Sequence, residues 1–222
     1  MHLRIVPMHL FFDLDGTLTN PRRGIVSCFQ YALEVMQRPA WNEDALEQFI
    51  GPPLPESFGK ILETADQALI DEGVRLYRQR FAKEGLFEND VYPDIPETLA
   101  ALQDDGFDLL VVTSKPQVFA DQIVQHFELD QYFRRVYGSE LSGERATKSD
   151  LIRYVLKQEQ ISAKHAVMIG DRSHDILGAR ANGLRSIGVV WGFGSQAELR
   201  DAGEDEIVAS VEELRDCIFC LS

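Results

Sequence analysis

Two aspartates flank one leucine at the end of a short apolar run, in Phe11-Phe12-Asp13-Leu14-Asp15-Gly16-Thr17-Leu18-Thr19. Further along, Thr113-Ser114-Lys115 closes the run Leu109-Leu110-Val111-Val112. Lys148 stands in Ala146-Thr147-Lys148-Ser149-Asp150, and Asp171 and Asp175 follow Ala166-Val167-Met168-Ile169-Gly170. Taken singly, each acid is a helix cap or a solvated charge. Taken together they are four carboxylates, two hydroxyls and an ammonium. Four carboxylates sharing one site repel strongly unless a divalent cation neutralises them. A donor set of oxygens without histidine favours a hard ion such as Mg²⁺ over zinc. A metal beside phosphate-binding donors implies phosphoryl chemistry. Ser114-Lys115-Pro116 offers a helix start with Ser114 as candidate N-cap, so that free amides can face an anion. Gly16 lets the backbone come close to an oxygen. Among the candidate nucleophiles, only a carboxylate is ionised without an activating base. The sequence indicates no such base for Thr113 or Ser114.

These residues can meet only if the fold brings them together. His9 to Leu14 reads as a buried strand. From Arg22 to about Glu84 the apolar spacing is helical, broken by the rigid loop Gly51-Pro52-Pro53-Leu54-Pro55. Beyond Tyr92-Pro93 the pattern alternates. Helices are expected at 96–105, 116–127, 148–158, 174–181, 195–201 and from 211. Strands are expected at 108–113, 134–137, 166–170, 186–191 and 207–208. Apolar strands alternating with helices give a parallel sheet covered on both faces. The fold class is therefore α/β: a Rossmann-like, doubly wound parallel core (1–19 and 88–222) with an inserted all-α helical cap (20–87). In such sheets ligands gather beyond the carboxyl ends of the strands. That rule brings Asp13, Asp15, Thr113, Ser114, Asp171 and Asp175 to one rim, with Lys148 opening a helix on the same side.

Composition narrows the classes. The 222 residues are 45% hydrophobic and 26% charged, ordinary for a globular protein, with a formal charge of −14. That charge excludes a general binder of nucleic-acid polymers, which would carry a basic face. It also repels anionic substrates, so local cations and a metal must overcome the global field. No apolar run approaches the ~20 residues that span a bilayer, and the first ten residues do not read as a secretory signal. Met-His-Leu occurs at both 1 and 8, which makes Met8 an alternative start. Three cysteines point to a reducing cytoplasm rather than a disulfide scaffold. Cys217 and Cys220 lack a second pair for a metal knuckle and read as buried small residues on a terminal helix. Gly192-Phe193-Gly194 suggests a dinucleotide loop, but the 28 residues after it are too few for a second half-domain.

The four segments, in order, resemble the motifs of the haloacid dehalogenase-like hydrolase superfamily. Asp13 to Thr19 looks like the first, Thr113 the second, Lys148 the third, and Gly170-Asp171-Arg172-Ser173-His174-Asp175-Ile176 the fourth. A helical insert directly after the first motif resembles the cap of the phosphoglycolate phosphatase-like and 5′-nucleotidase-like branch. Ile50-Gly51-Pro52-Pro53-Leu54 is similar to that branch's substrate-facing loop, which makes Gly51, Pro52 and Leu54 cap candidates. The resemblance implies that Asp13 attacks phosphorus to form an aspartyl-phosphate. It implies that Asp15 protonates the leaving oxygen and later activates water. Mg²⁺ would be held by Asp13, the Asp15 carbonyl and Asp171, with Asp175 close behind. Thr113, Lys148 and the amides at Gly16 and Ser114 would bind the phosphoryl oxygens. Three departures stand out: Ser114 where asparagine is common, Asp94 in place of a hinge glycine, and Arg172 and His174 within the fourth motif.

The resemblance implies a Mg²⁺-dependent phosphatase acting on a small phosphomonoester. A nucleoside 5′-monophosphate is the favoured substrate, with Phe58 near the cap loop to receive a base. Phosphoglycolate is the alternative and would want a cation such as Lys60 or Arg22. Asp15 argues against a dehalogenase, which protonates no alkoxide. A β-phosphoglucomutase-like phosphomutase shares nearly all the motifs. A receiver-like phospho-acceptor module is the non-enzymatic rival, although it is about half this length and lacks an insert. Oligomeric state is not legible.

Overall fold

The computed structural model describes residues 8–221. The expectations about a secretory leader and an earlier or later start concern residues 1–7, outside the described ones. β1 (His9–Phe12) is an apolar strand in which Leu10, Phe11 and Phe12 are fully buried. Burying each such side chain stabilises the fold by about 1.5–3 kcal/mol. After β1 the chain folds tightly over residues 13–18. The Leu14 carbonyl accepts from the amides of Leu18 (2.9 Å) and Thr19 (3.0 Å), and the Gly16 amide donates to the Thr19 carbonyl at 2.7 Å. Gly16 takes φ +83°, a conformation that a side chain strains.

A two-residue strand, β2 (Thr19–Asn20), pairs with β3 (Asp90–Val91). The chain divides into two compact units, one of which is Asn20–Asp90; it extends three residues beyond position 87. That unit holds α1 (Arg22–Val35), α2 (Glu43–Leu46), α3 (Leu54–Ile61) and α4 (Gln67–Arg80), the last prolonged by a π-helical turn at Phe81–Gly85. Asn42 caps α2 and Asp66 caps α4, each accepting backbone amides. Gly24 lets α1 meet the π-turn backbone, since a Cβ there would lie 2.1 Å from the Gly85 carbonyl. The interior is aromatic: Phe29 lies 5.3 Å from the Phe58 ring and 4.9 Å from the Tyr77 ring.

This packing corrects the expectation for Phe58. It is fully buried on the inward face of α3, beside Ser57 and Ile61, and offers no ring to a base. Arg22 is likewise committed within its own unit, to Glu47 and to Asp44 at 2.7 Å. Lys60 pairs with Glu56 one helical turn away, at 2.8 Å. Gly51 takes φ +105° before Pro52, and α3 begins at Leu54.

The other unit contains β1 and everything from Val91. Its remaining elements alternate: α5 (Ile95–Asp104), β4 (Asp108–Pro116), α6 (Gln117–His126), β5 (Arg135–Ser139), α7 (Lys148–Glu159) and β6 (Ala166–Gly170). They continue with α8 (Ser173–Ala181), β7 (Arg185–Val189), α9 (Gln196–Ala202), β8 (Glu206–Val208) and α10 (Val211–Leu221). The six long strands form one parallel sheet in the order β5-β4-β1-β6-β7-β8. Phe11, Leu110, Val112 and Met168 face a cluster completed by Leu151, Ile152 and Val155 of α7 and Ala179 of α8. The sequence order reverses about β1, because β4 lies on one side and β6 on the other. Such a reversal opens a crevice beyond the carboxyl ends of β1 and β6.

Three local expectations change. β4 continues to Pro116, which pairs with Ser139, so Ser114 lies in the strand and caps nothing. The residue flanking α6 is Pro116 itself, with no side-chain cap. The close approach of Gly138 to the Lys115 carbonyl keeps this end of β4 against β5. β7 ends at Val189, leaving Trp191 in the following loop. On α10, Cys220 is exposed rather than buried, and Cys217 is partly so. Asp94 adopts φ +64°, the left-handed backbone that glycine most readily takes, so the acid accomplishes the turn a glycine would make.

Candidate active site

Strand register sets the level of the site. Phe12 is level with Val111 and Ile169, so the next residues, Asp13, Val112 and Gly170, emerge together. The Asp13 amide donates to the Ile169 carbonyl at 2.9 Å, which fixes the backbone from which its carboxylate projects. Asp171 follows β6 directly and is fully buried. Asp175 lies in the first turn of α8, where its Oδ2 accepts the Arg172 amide at 3.1 Å. Gly170 must lack a side chain here, since a Cβ would fall 2.2 Å from the Asp175 carboxyl carbon.

Lys148 opens α7, whose N-cap Thr147 accepts the Asp150 amide at 3.2 Å. Its ammonium reaches the Val112 carbonyl at 3.0 Å, Asp13 Oδ1 at 2.9 Å and Asp175 Oδ1 at 2.7 Å. The side chain is only 2% exposed. Gly178 of α8 makes room for it, since a Cβ there would come within 2.8 Å of the lysine stem. Burial alone would lower the lysine's pKa, but Asp13 and Asp175 reverse that and hold it raised.

Asp15 faces a second ammonium, that of Lys115, at 2.5 Å, with side chains 15% and 6% exposed. Burial raises the Asp15 carboxyl above its ordinary range, and Lys115 only partly opposes it. Lys115 was not among the expected site residues, although strand alternation carried the signal. Thr113 and Lys115 are two apart on β4, so both point to one side. Thr113 is buried, and its hydroxyl accepts the Lys115 amide at 3.3 Å. Ser114 turns the other way, its carbonyl accepting the Ser139 hydroxyl at 2.8 Å. Tyr92 is a second unforeseen neighbour: burial, then Asp171 and Asp15, push its hydroxyl's pKa upward.

Ligand atoms of Asp13, Asp171 and Asp175 all lie within 4.8 Å of one another. Burial raises the carboxyls of Asp171 and Asp175 above the usual carboxylate range; Asp13 pushes both up further, while Lys148 pulls Asp175 back in part. Asp171 Oδ1 is buried and accepts no hydrogen bond from any described residue. Asp13, Asp171 and Asp175 set three carboxylates against one ammonium, that of Lys148, an excess of acid that a divalent cation offsets. An orphaned buried oxygen within an all-oxygen set thus fits a hard divalent cation. Gly51, Pro52 and Leu54 belong to the helical unit. Arg172 is drawn aside to Glu198 at 3.0 Å, which makes it a tie between the fourth segment and α9. His174 is exposed on α8. Among the described residues, no helix is long and apolar enough to cross a membrane.

Residues 10–189 match the family model described as haloacid dehalogenase-like hydrolase. A 5′-nucleotidase from Pseudomonas aeruginosa is 47% identical over 210 residues, covering 95% of each chain. The tyrosine-protein kinase PtkA of Mycobacterium tuberculosis is 35% identical over 217 residues, covering 96% of this chain and 72% of its own. A crystal structure described as a predicted phosphatase from Clostridium acetobutylicum superposes with a TM-score of 0.91 at 43% identity. The match covers 96% of this chain and 99% of that one.

Proposed function

This chain belongs to the haloacid dehalogenase-like hydrolases and is a phosphoric monoester hydrolase of that family, and from that premise we propose a Mg²⁺-dependent phosphatase that works through an aspartyl-phosphate on Asp13 and takes nucleoside 5′-monophosphates. The observation that carries this reading is the buried group of Asp13, Asp171, Asp175 and Lys148 at the carboxyl end of the sheet.

Asp13 attacks phosphorus in line with the ester oxygen. Lys148 holds that carboxylate at 2.9 Å and draws charge from the phosphoryl group. The Thr113 hydroxyl and the Ser114 amide donate to the remaining phosphoryl oxygens, while the Gly16 amide is already given to the Thr19 carbonyl. Asp15, its carboxyl raised by burial, gives its proton to the leaving oxygen. It then takes a proton from the water that attacks the phosphorus of the aspartyl-phosphate, which breaks the bond to the Asp13 oxygen and frees inorganic phosphate. Asp13, the Asp15 carbonyl and Asp171, with Asp175 behind, would hold Mg²⁺, which would supply electrostatic stabilisation of charge on the phosphoryl oxygens. A loose phosphoryl-transfer transition state is served mainly by such positioned charges. The helical insert, with its loop at Gly51, Pro52 and Leu54, selects the leaving group. Three free thiols suit a reducing cytoplasm.

The test is a phosphate-release screen over nucleoside monophosphates, phosphoglycolate, sugar phosphates and phosphotyrosine, with Mg²⁺ and after complete chelation. The expected result is release that is greatest with nucleoside 5′-monophosphates, vanishes on chelation and returns with Mg²⁺. Undiminished activity after chelation would remove the metal from the mechanism. Isomerisation of a sugar phosphate without free phosphate would make the enzyme a mutase. Label moving from ATP into a protein acceptor, with none reaching water, would make it a transferase.

A further inference from the structure

Trp191-Gly192-Phe193-Gly194 follows β7 and has no part in the chemistry above. Its contacts converge on the site from behind. The Phe193 amide donates to Asp171 Oδ2 at 2.8 Å, and the Trp191 indole N–H donates to the Thr17 carbonyl at 3.1 Å. One short loop therefore holds both the carboxylate after β6 and the tight turn that carries Asp13 and Asp15.

The two glycines are what allow this approach. A Cβ on Gly192 would lie 2.3 Å from the Gly16 carbonyl oxygen and 2.4 Å from Asp171 Oδ2. A Cβ on Gly194 would lie 1.8 Å from the Asp171 carbonyl oxygen. Both contacts fall on backbone or on a buried carboxylate, neither of which can swing away. The far end of the loop is pinned too. Ser195 caps α9, and Glu198 in that helix accepts from Arg172 Nε at 3.0 Å and from the Ser173 amide at 2.8 Å.

The consequence for Asp171 is directional. One of its oxygens is taken by the Phe193 amide, while the other, Oδ1, is buried without a hydrogen bond among the described residues. A carboxylate fixed through one oxygen presents the other in a set direction, as outer partners of metal ligands do. We propose that the 191–194 loop is the positioning element of the cation site. Through the Phe193 amide it aims Asp171 Oδ1, and through Trp191 it holds the Asp13–Thr19 turn at the matching distance. This inference rests on the metal reading of the site.

Metal binding without substrate tests it separately from turnover. Mn²⁺ would be titrated into the wild-type protein, Trp191→Phe and Gly194→Ala, with binding followed by electron paramagnetic resonance and folding by thermal melting. Loss of such outer partners commonly weakens metal binding about 10–100-fold. Gly194→Ala should fall in that range, and Trp191→Phe, which removes one N–H, should lose about threefold or more by the same reasoning. The Mg²⁺ activation constant should rise in parallel, while the substrate KM at saturating Mg²⁺ should stay within about twofold. A folded Trp191→Phe protein that binds Mn²⁺ as tightly as wild type overturns the proposal, and it decides the matter alone if Gly194→Ala fails to fold. A wild-type protein that takes up no Mn²⁺ overturns the metal reading and this inference with it. Wild-type binding with unchanged variants overturns only the positioning role.

Discussion

Asp13→Asn should lower phosphate release by about 10⁴-fold or more while leaving the protein folded, which corresponds to a barrier higher by about 5.5 kcal/mol. Asparagine keeps the shape of the side chain and the backbone hydrogen bond that residue 13 donates to the Ile169 carbonyl. What it loses is the charge that makes the group a nucleophile. The fold should tolerate the exchange, because Asp13 shares its surroundings with Asp171 and Asp175 and its charge raises the pKa of both. Removing one of three mutually repelling carboxylates relieves that repulsion. Lys148 meanwhile keeps Asp175 at 2.7 Å. Phosphate release under saturating phosphomonoester and a thermal melt check the two halves. Activity within about tenfold of wild type would mean that another group attacks phosphorus.

Lys148→Met should damage both stability and rate. The methionine approximates the length of the lysine stem, but it leaves Asp13, Asp175 and the Val112 carbonyl without their shared cation. Breaking a buried ion pair by removing one partner typically costs about 3–5 kcal/mol, because the other charge stays buried and unpaired. Loss of a cation that meets the phosphoryl group should slow turnover by about 10²–10³-fold. Denaturant melts would read the first effect and kcat the second. Added Mg²⁺ should recover part of the stability, since a divalent cation can neutralise the acids that lysine left behind. A variant as stable as wild type without metal would show that the lysine does not carry that electrostatic load.

Much of this was legible because local pattern and chemistry agree. Apolar runs such as Leu10-Phe11-Phe12 and Val167-Met168-Ile169 read as strands buried on both faces, and an acid follows each within two residues. In a parallel sheet that coincidence of run and acid is enough to bring Asp13 and Asp171 to one edge. Long-range contacts left no such trace. Nothing near Trp191 in the sequence says that its indole meets Thr17, 174 positions away. Lys115 meets Asp15 only because β4 runs on to Pro116, where a proline and a serine had suggested a helix start. Strand pairing with β5 outweighed that local signal. Phe58 went astray for a similar reason: proximity to a loop in sequence says nothing of which face of α3 turns inward.

The central claim is that Asp13 carries the phosphoryl group between substrate and water. It is tested most directly by stopping turnover early with borohydride, which reduces an acyl phosphate to the alcohol, and mapping the product by mass spectrometry. The expected result is homoserine at position 13, dependent on substrate and Mg²⁺ and absent from Asp13→Asn. Steady phosphate release with position 13 unmodified, or with reduction at a different carboxylate, would contradict it.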